Sequence, residues 1–273
     1  MKSASIPTTT PPIWDEWPKW ENENVFRTKR FRFKGSVTQY DGKTSSDAIA
    51  ILKNRRFIQL YRELLAPRPR KIFEIGFYQG GMPLFIADMQ EPDTEEDGDP
   101  LHIVGIDYWP PSEALEQIIT RHDLGSTIKL QGGILQDDAK TIHSILASEY
   151  HGQPLDLIID DCSHQYHETK TCFENLFTQL KPGGKYVIED WGWQHWPGEP
   201  WQSDKSPFHG KPSMSNLIIE LVMAMASRPD ILARIDIASS YCVVITRGPA
   251  PPHGEIVTLS EITKMAGRVY IPM

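Results

Sequence analysis

The 273-residue sequence predicts an α/β fold, a doubly wound and mostly parallel seven-stranded sheet with helices on both faces. Three observations predict it. From about residue 45 to residue 247, short apolar runs alternate with helix-length stretches. Runs such as Leu155–Asp160 and Lys185–Glu189 are apolar almost throughout, as strands buried on both faces are. Both of these runs end in carboxylates, and the carboxyl ends of the strands are where open α/β sheets bind ligands.

The elements follow in chain order. Residues 1 to about 24 are rich in Pro, Thr and Trp and read as an irregular arm, anchored to the body by Trp14, Trp17 and Trp20. Phe26 to Lys34 alternates partially, which suits an extended edge segment. Ser45-Ser46-Asp47 opens a helix that continues to about Leu65, where Pro67 and Pro69 stop it. Strands are expected at Lys71–Ile75, His102–Asp107, Thr127–Gln131, Leu155–Asp160 and Lys185–Glu189. Two late strands at about 232–237 and 241–246 are close enough to pair antiparallel. Helices are expected at about 80–89, 112–122, 138–149, 167–180 and 214–227. The acidic stretch 91–99 reads as a solvated loop insertion. This organisation divides the chain into an arm and extension (1–45), a main domain (46–250) and a tail (251–273).

Composition excludes several classes. The net charge of −8, with no long basic run, speaks against a nucleic-acid partner. No stretch is long and apolar enough to span a membrane, and the first residues lack the apolar core of a signal peptide. Cys162, Cys172 and Cys242 are scattered without a CxxC spacing, which argues against a zinc site or a disulfide framework. They fit a reducing compartment, so a cytoplasmic protein is expected.

Two groups of residues carry chemistry. The first strand leads into Glu74-Ile-Gly76-Phe-Tyr-Gln-Gly80, a Glu-x-Gly-x-x-x-Gly turn. Glycines there let the backbone turn tightly and approach a ligand, but the spacing is not that of a dinucleotide-binding turn. The second strand ends in Asp107, the position that binds ribose hydroxyls in such sheets, with a helix N-cap as the plainer alternative. The third leads into a polar loop, Gln131 to Asp138, that suits an adenine edge; Asp137 suits an N-cap equally well. The second group is Asp160-Asp161-Cys162-Ser163-His164 after the fourth strand and Glu189-Asp190 after the fifth. Asp161, Glu189 and Asp190 suit a hard cation such as Mg²⁺, with His164 as a base beside it. Asp160 is expected to support these residues or to touch a cofactor.

Together these features resemble the class I S-adenosylmethionine-dependent methyltransferases, over about residues 46–247. The resemblance implies a Rossmann-like sheet. It also implies that Glu74, Gly76 and Gly80 lie under the methionine part of the cofactor, Asp107 at its ribose, and Gln131 to Asp137 at its adenine. Asp-Asp-x-Ser-His followed by Leu-Lys-Pro-Gly-Gly-x-Tyr-Val-Ile-Glu-Asp further resembles the metal-dependent macrocin, mycinamicin and rhamnosyl sugar O-methyltransferases. That family implies Asp161, Glu189 and Asp190 as Mg²⁺ ligands and His164 as the base. It implies a small hydroxylated acceptor, a sugar or polyol on a specialised metabolite, and a homo-oligomer. Two departures stand out: Cys162 where relatives carry Gly, and Gly133 where they carry Asp. A catechol or phenol acceptor, a nucleotide-dependent oxidoreductase and a noncatalytic cofactor-binding partner remain as alternatives. The segment Trp191 to Trp201 reads either as a substrate wall or as indoles packed on the body.

Overall fold

The structure, a computed structural model, describes residues 13–35, 42–90, 99–267 and 269. The chain falls into two compact units, residues 1–133 and 134–273. In the first unit, α1 (Ile13–Glu16), β1 (Lys19–Asn22), β2 (Val25–Arg27), β3 (Arg32–Gly35) and β4 (Ile49–Ile51) precede α2 (Arg55–Leu65). Then come β5 (Lys71–Ile75), α3 (Gly81–Met89), β6 (His102–Ile106), α4 (Glu113–Arg121) and β7 (Ile128–Gln131). The second unit holds α5 (Ala139–Tyr150), β8 (Leu155–Asp160), α6 (Tyr166–Leu176), β9 (Leu180–Glu189) and α7 (Met214–Ser227). It closes with β10 (Leu232–Ala238), β11 (Cys242–Arg247) and α8 (Leu259–Ile262).

A seven-stranded sheet runs in the order β10-β11-β9-β8-β5-β6-β7. β5 pairs parallel with β6, β6 with β7 and β8 with β9, while β9, β11 and β10 pair antiparallel in turn. Parallel neighbours need a long crossover. Here α3, α4 and α6 lie in those connections. The mostly parallel seven-stranded sheet expected from the sequence is therefore present, and its strands lie within one or two residues of the expected positions except β9, which begins at Leu180 where the preceding helix was expected to run on; that helix ends at Leu176. The late hairpin pairs Ala238 with Cys242 at its tip.

The region before β5 differs from expectation. The helix expected from Ser45 to Leu65 begins only at Arg55, where the Asn54 side chain accepts from the Phe57 N–H at 3.0 Å. The intervening Ile49-Ala50-Ile51 is a buried strand, paired parallel with β3 through Phe33 and Ile49. Three consecutive apolar residues, two of them β-branched, favour a strand that is covered on both sides. β1 to β4 form a separate four-stranded sheet. Residues 13–24 are accordingly not irregular. Trp14 is buried with its ring 5.9 Å from Phe85, and Trp20 lies 4.7 Å from Phe26. This packing agrees with an anchoring role for the tryptophans.

Most of the expected acidic insertion, residues 91–98, lies outside the described residues, as do residues 1–12 of the arm and 268 and 270–273 of the tail. Asp99, at the insertion's end, pairs with Lys71. All three cysteines are free thiols. Among the described residues no helix is long and apolar enough to cross a membrane.

Candidate active site

In the first unit, β5 delivers the glycine turn. Glu74 is buried in β5 and lies opposite Gly105 of β6. Gly76 follows at φ 90°, its N–H bonded to the Ile106 carbonyl at 2.8 Å. Gly80 caps α3 at φ 77°, and a Cβ there would stand 2.4 Å from the Leu115 side chain. Only glycine meets both demands, left-handed backbone and close packing.

Asp107 sits just past β6 and is mostly buried. One carboxylate oxygen accepts from the Tyr78 N–H at 2.7 Å, the other from the Trp109 N–H at 2.9 Å. The acid thus ties the turn after β5 to the turn after β6. It does not cap a helix; Ser112 caps α4, accepting from Leu115 at 3.3 Å. Each oxygen retains acceptor capacity, since an ionised carboxyl offers about four lone-pair positions. A ribose diol is compatible with that donor set. Gln131 ends β7, and its carbonyl accepts from the Asp107 N–H at 3.1 Å.

In the second unit, Asp137 is exposed, and its neighbour Asp138 is the cap of α5, accepting from Thr141 at 3.1 Å. The capping alternative weighed for Asp137 therefore belongs one residue later.

β8 ends in Asp160, which is buried, with one oxygen accepting from Gln136 Nε2 at 2.7 Å and the other from the Tyr186 hydroxyl at 2.9 Å. Burial pushes its pKa up to about 7, against the opposing pull of these two hydrogen bonds. Both oxygens are engaged by protein donors, so Asp160 supports the loop that follows it. Gln136 is the residue that sequence reasoning passed over. Its Oε1 accepts from the Ser163 hydroxyl at 2.5 Å and from the Ser163 N–H at 3.2 Å. One buried amide thereby fixes the loop that carries Asp161 and His164. Its partners lie more than twenty residues away in sequence, so no local spacing signals the role.

Asp161, His164 and Asp190 converge. Each offers a ligand atom within 4.8 Å of the others. His164 Nε2 is 3.8 Å from Asp161 Oδ1, and Nδ1 is 3.3 Å from the Glu189 carbonyl. A carbonyl only accepts, so Nδ1 carries the proton in that contact and Nε2 of the neutral ring keeps its lone pair. Glu189 was expected beside Asp190 as a metal ligand, but its carboxylate is not in the three-residue group; the residue is fully buried. Successive strand side chains point to opposite faces. Asp190 escapes that alternation by leaving the strand at φ 49°, its N–H held by the Tyr241 carbonyl. The half-buried Asp161 and Asp190 carboxylates offer oxygen donors that fit a divalent cation, with the buried His164 imidazole beside them.

The tryptophan segment is fixed beside this group. Trp193 lies 4.4 Å from the His164 ring, 5.0 Å from Trp201 and 6.3 Å from Trp196. Trp191 Nε1 donates to the Ser239 carbonyl at 3.0 Å and Trp196 Nε1 to Ser240 Oγ at 3.3 Å, which fastens the segment to the β10–β11 turn.

Comparison with known proteins bears on this arrangement. Residues 73–191 match the family described as a methyltransferase domain. The matched stretch begins within β5 and ends one residue past Asp190. The chain is 41% identical over 75 residues to mycinamicin VI 2''-O-methyltransferase of Micromonospora griseorubida, covering 28% of this chain and 18% of the relative. It is 42% identical over 72 residues to demethylmacrocin O-methyltransferase of Streptomyces fradiae, covering 26% of this chain and 17% of that protein. The matched segments thus span under a fifth of these two relatives. The crystal structure of the MycE methyltransferase of the mycinamycin pathway, in complex with Mg and SAH, superposes at a TM-score of 0.50 and 22% identity. That likeness covers 70% of this chain and 49% of that one, and it is a likeness of fold.

Proposed function

We propose that this chain is a Mg²⁺-dependent O-methyltransferase. It moves a methyl group from S-adenosylmethionine to a hydroxyl of a sugar or polyol on a specialised metabolite. The observation that carries the reading is the convergence of Asp161, His164 and Asp190 at the end of the stretch that matches a methyltransferase domain. The names of the relatives, two macrolide O-methyltransferases among them, support a glycosyl acceptor. Glu74, Gly76, Gly80, Asp107 and Gln131 are proposed to face the cofactor, with Asp137 at its adenine. Asp161, Glu189 and Asp190 are proposed to hold the metal. The domain boundaries proposed are 46–250, and a cytoplasmic homo-oligomer is the setting proposed.

When bound, the cation acidifies and orients the acceptor hydroxyl and the cofactor supplies an electrophilic methyl. The protein's own residues do the rest. Asp161 and Asp190 offset the cation's charge. The Glu189 carbonyl holds the His164 Nδ1–H, which leaves Nε2 as proton acceptor. His164 Nε2 would take the proton of the acceptor hydroxyl, leaving its oxygen to receive the methyl group that the cofactor would supply, with the sulfonium's C–S electron pair staying on sulfur. General-base catalysis of this kind contributes about 10²–10⁴-fold.

The test is incubation with S-adenosylmethionine, Mg²⁺ and a panel containing methyl α-L-rhamnoside, other methyl glycosides and catechol, with products read by mass spectrometry. A methylated glycoside is expected, abolished by EDTA and restored by Mg²⁺. Transfer that persists without metal overturns the metal assignment. Transfer to catechol alone overturns the acceptor class. Calorimetric binding of NAD in place of S-adenosylmethionine would favour an oxidoreductase.

A further inference from the structure

We propose that β10 is the contact of a two-fold dimer, in which the strand pairs antiparallel with β10 of a second copy about Ile235. The proposal rests on the homo-oligomeric part of the reading above and on none of its chemistry. β10 is the edge strand of the seven-stranded sheet, with β11 on one side of it and, among the described residues, no strand on the other. An open edge presents a row of unpaired N–H and C=O groups and is a template for another chain. Proteins blunt such edges with short strands, proline or lysine. β10, Leu232-Ala-Arg-Ile-Asp-Ile-Ala238, is seven residues long and has neither proline nor lysine. Its register with β11 slips only between Leu232 and Arg234, so the edge is regular from Arg234 to Ala238.

The charges select a second copy of this chain as the occupant and set its register. An antiparallel pair about a two-fold axis normal to the sheet places one residue opposite its own copy. With Ile235 on the axis, Arg234 of each chain faces Asp236 of the other, and Ala233 faces Ile237. Moving the axis by one residue either way places Arg234 opposite Arg234 or Asp236 opposite Asp236, and like charges directly opposite are destabilising. Of these three registers only the one about Ile235 is attractive. Arg234 and Asp236 stand two residues apart, so their side chains share a face of the strand. There they already bond, Nε to Oδ1 at 2.8 Å, with side chains 72% and 45% exposed. A second copy in the opposite direction closes a ring of four alternating charges. On the other face Ile237 is 51% exposed, a large apolar side chain that would lie against the small Ala233 of the second copy.

The experiment is sedimentation equilibrium of the 273-residue chain and its variants, read as a dimer dissociation constant. The wild type should be a concentration-dependent dimer. R234E and D236R should each raise the dissociation constant by about 10–100-fold, since each places like charges opposite one another at two symmetric positions. Mixed one to one, the two variants should form a heterodimer of about wild-type affinity, because every opposed pair is then unlike. The double variant R234E/D236R should also recover the dimer. A second measurement does not depend on charge. Ile235→Cys should form a disulfide between chains under mild oxidation, because its copy faces it across the axis. Ile237→Cys should not, because its copy lies four residues along the strand, about 13 Å away. A wild type that stays monomeric overturns the inference. So does a dimer that neither single variant weakens, a mixture of the two that does not pair, or cross-linking at 237 as efficient as at 235. Methyl transfer is measured separately: a dimer that behaves as expected but transfers no methyl group overturns the functional reading and leaves the interface standing.

Discussion

Asp160→Asn isolates the buried carboxyl on which the site loop rests. In the folded protein burial raises this group from 3.8 to about 7. The folded state therefore holds a proton that the unfolded chain has released, across the interval between those values. The associated stability is fully present below 3.8 and is lost as the pH rises to about 7. Each unit is worth ~1.4 kcal/mol. Between about pH 5 and about pH 8 the wild type should lose about 3 kcal/mol through this group alone. Asparagine cannot titrate, yet it keeps the hydrogen bonds: its oxygen accepts from Gln136, and its amide donates to the Tyr186 hydroxyl. The expected outcome is a stability profile for Asp160→Asn that is flatter by that amount and converges with the wild type on the acid side. Urea unfolding at several pH values measures it. EDTA must be present, so that no cation beside Asp161 draws the neighbouring carboxyl down. Parallel profiles for the two proteins would refute the reasoning.

Three further outcomes are expected. Asp107→Ala removes the acceptor for both the Tyr78 and Trp109 N–H groups, so it should cost about 1–3 kcal/mol of stability and weaken S-adenosylhomocysteine binding in calorimetry; unchanged affinity would remove Asp107 from the ribose. His164→Ala should lower kcat by about 10²–10⁴-fold while Mg²⁺ binding persists. Loss of Mg²⁺ itself would make the histidine a ligand instead. Gly81→Ala would place a Cβ 2.4 Å from the Ala50 carbonyl oxygen and 2.7 Å from Ile51 Cβ, so thermal unfolding should report a loss of about 1–3 kcal/mol, and an unchanged Tm would show that β4 can yield.

The acids and the histidine were legible because each stands where a strand or its following loop ends, and strand ends are marked by local hydrophobicity. Asp161 and Asp190 lie 29 positions apart, yet each follows an apolar run that could be read by itself. Glu189 and Asp190 look alike in sequence, and the left-handed turn at Asp190 sets its carboxylate beside Asp161 and His164. The helix expected from Ser45 failed because a capping residue signals a start only if the next residues are free to be helical. Ile49 to Ile51 are instead taken up by pairing with β3.

By itself the sequence determined the alternation of strands and helices, the glycine turn, and the residues that can act as acids or as a base. These depend on periodicity, backbone conformation and side-chain chemistry, all properties of neighbouring residues. The tertiary structure decided the rest: that Gln136 reaches Asp160 and Ser163, that Asp160 becomes a buried, protonatable prop, and that Trp193 rests on His164. Each of these requires residues more than twenty positions apart to share a few ångströms. Such contacts are set by how strands and loops pack, and no local pattern encodes them.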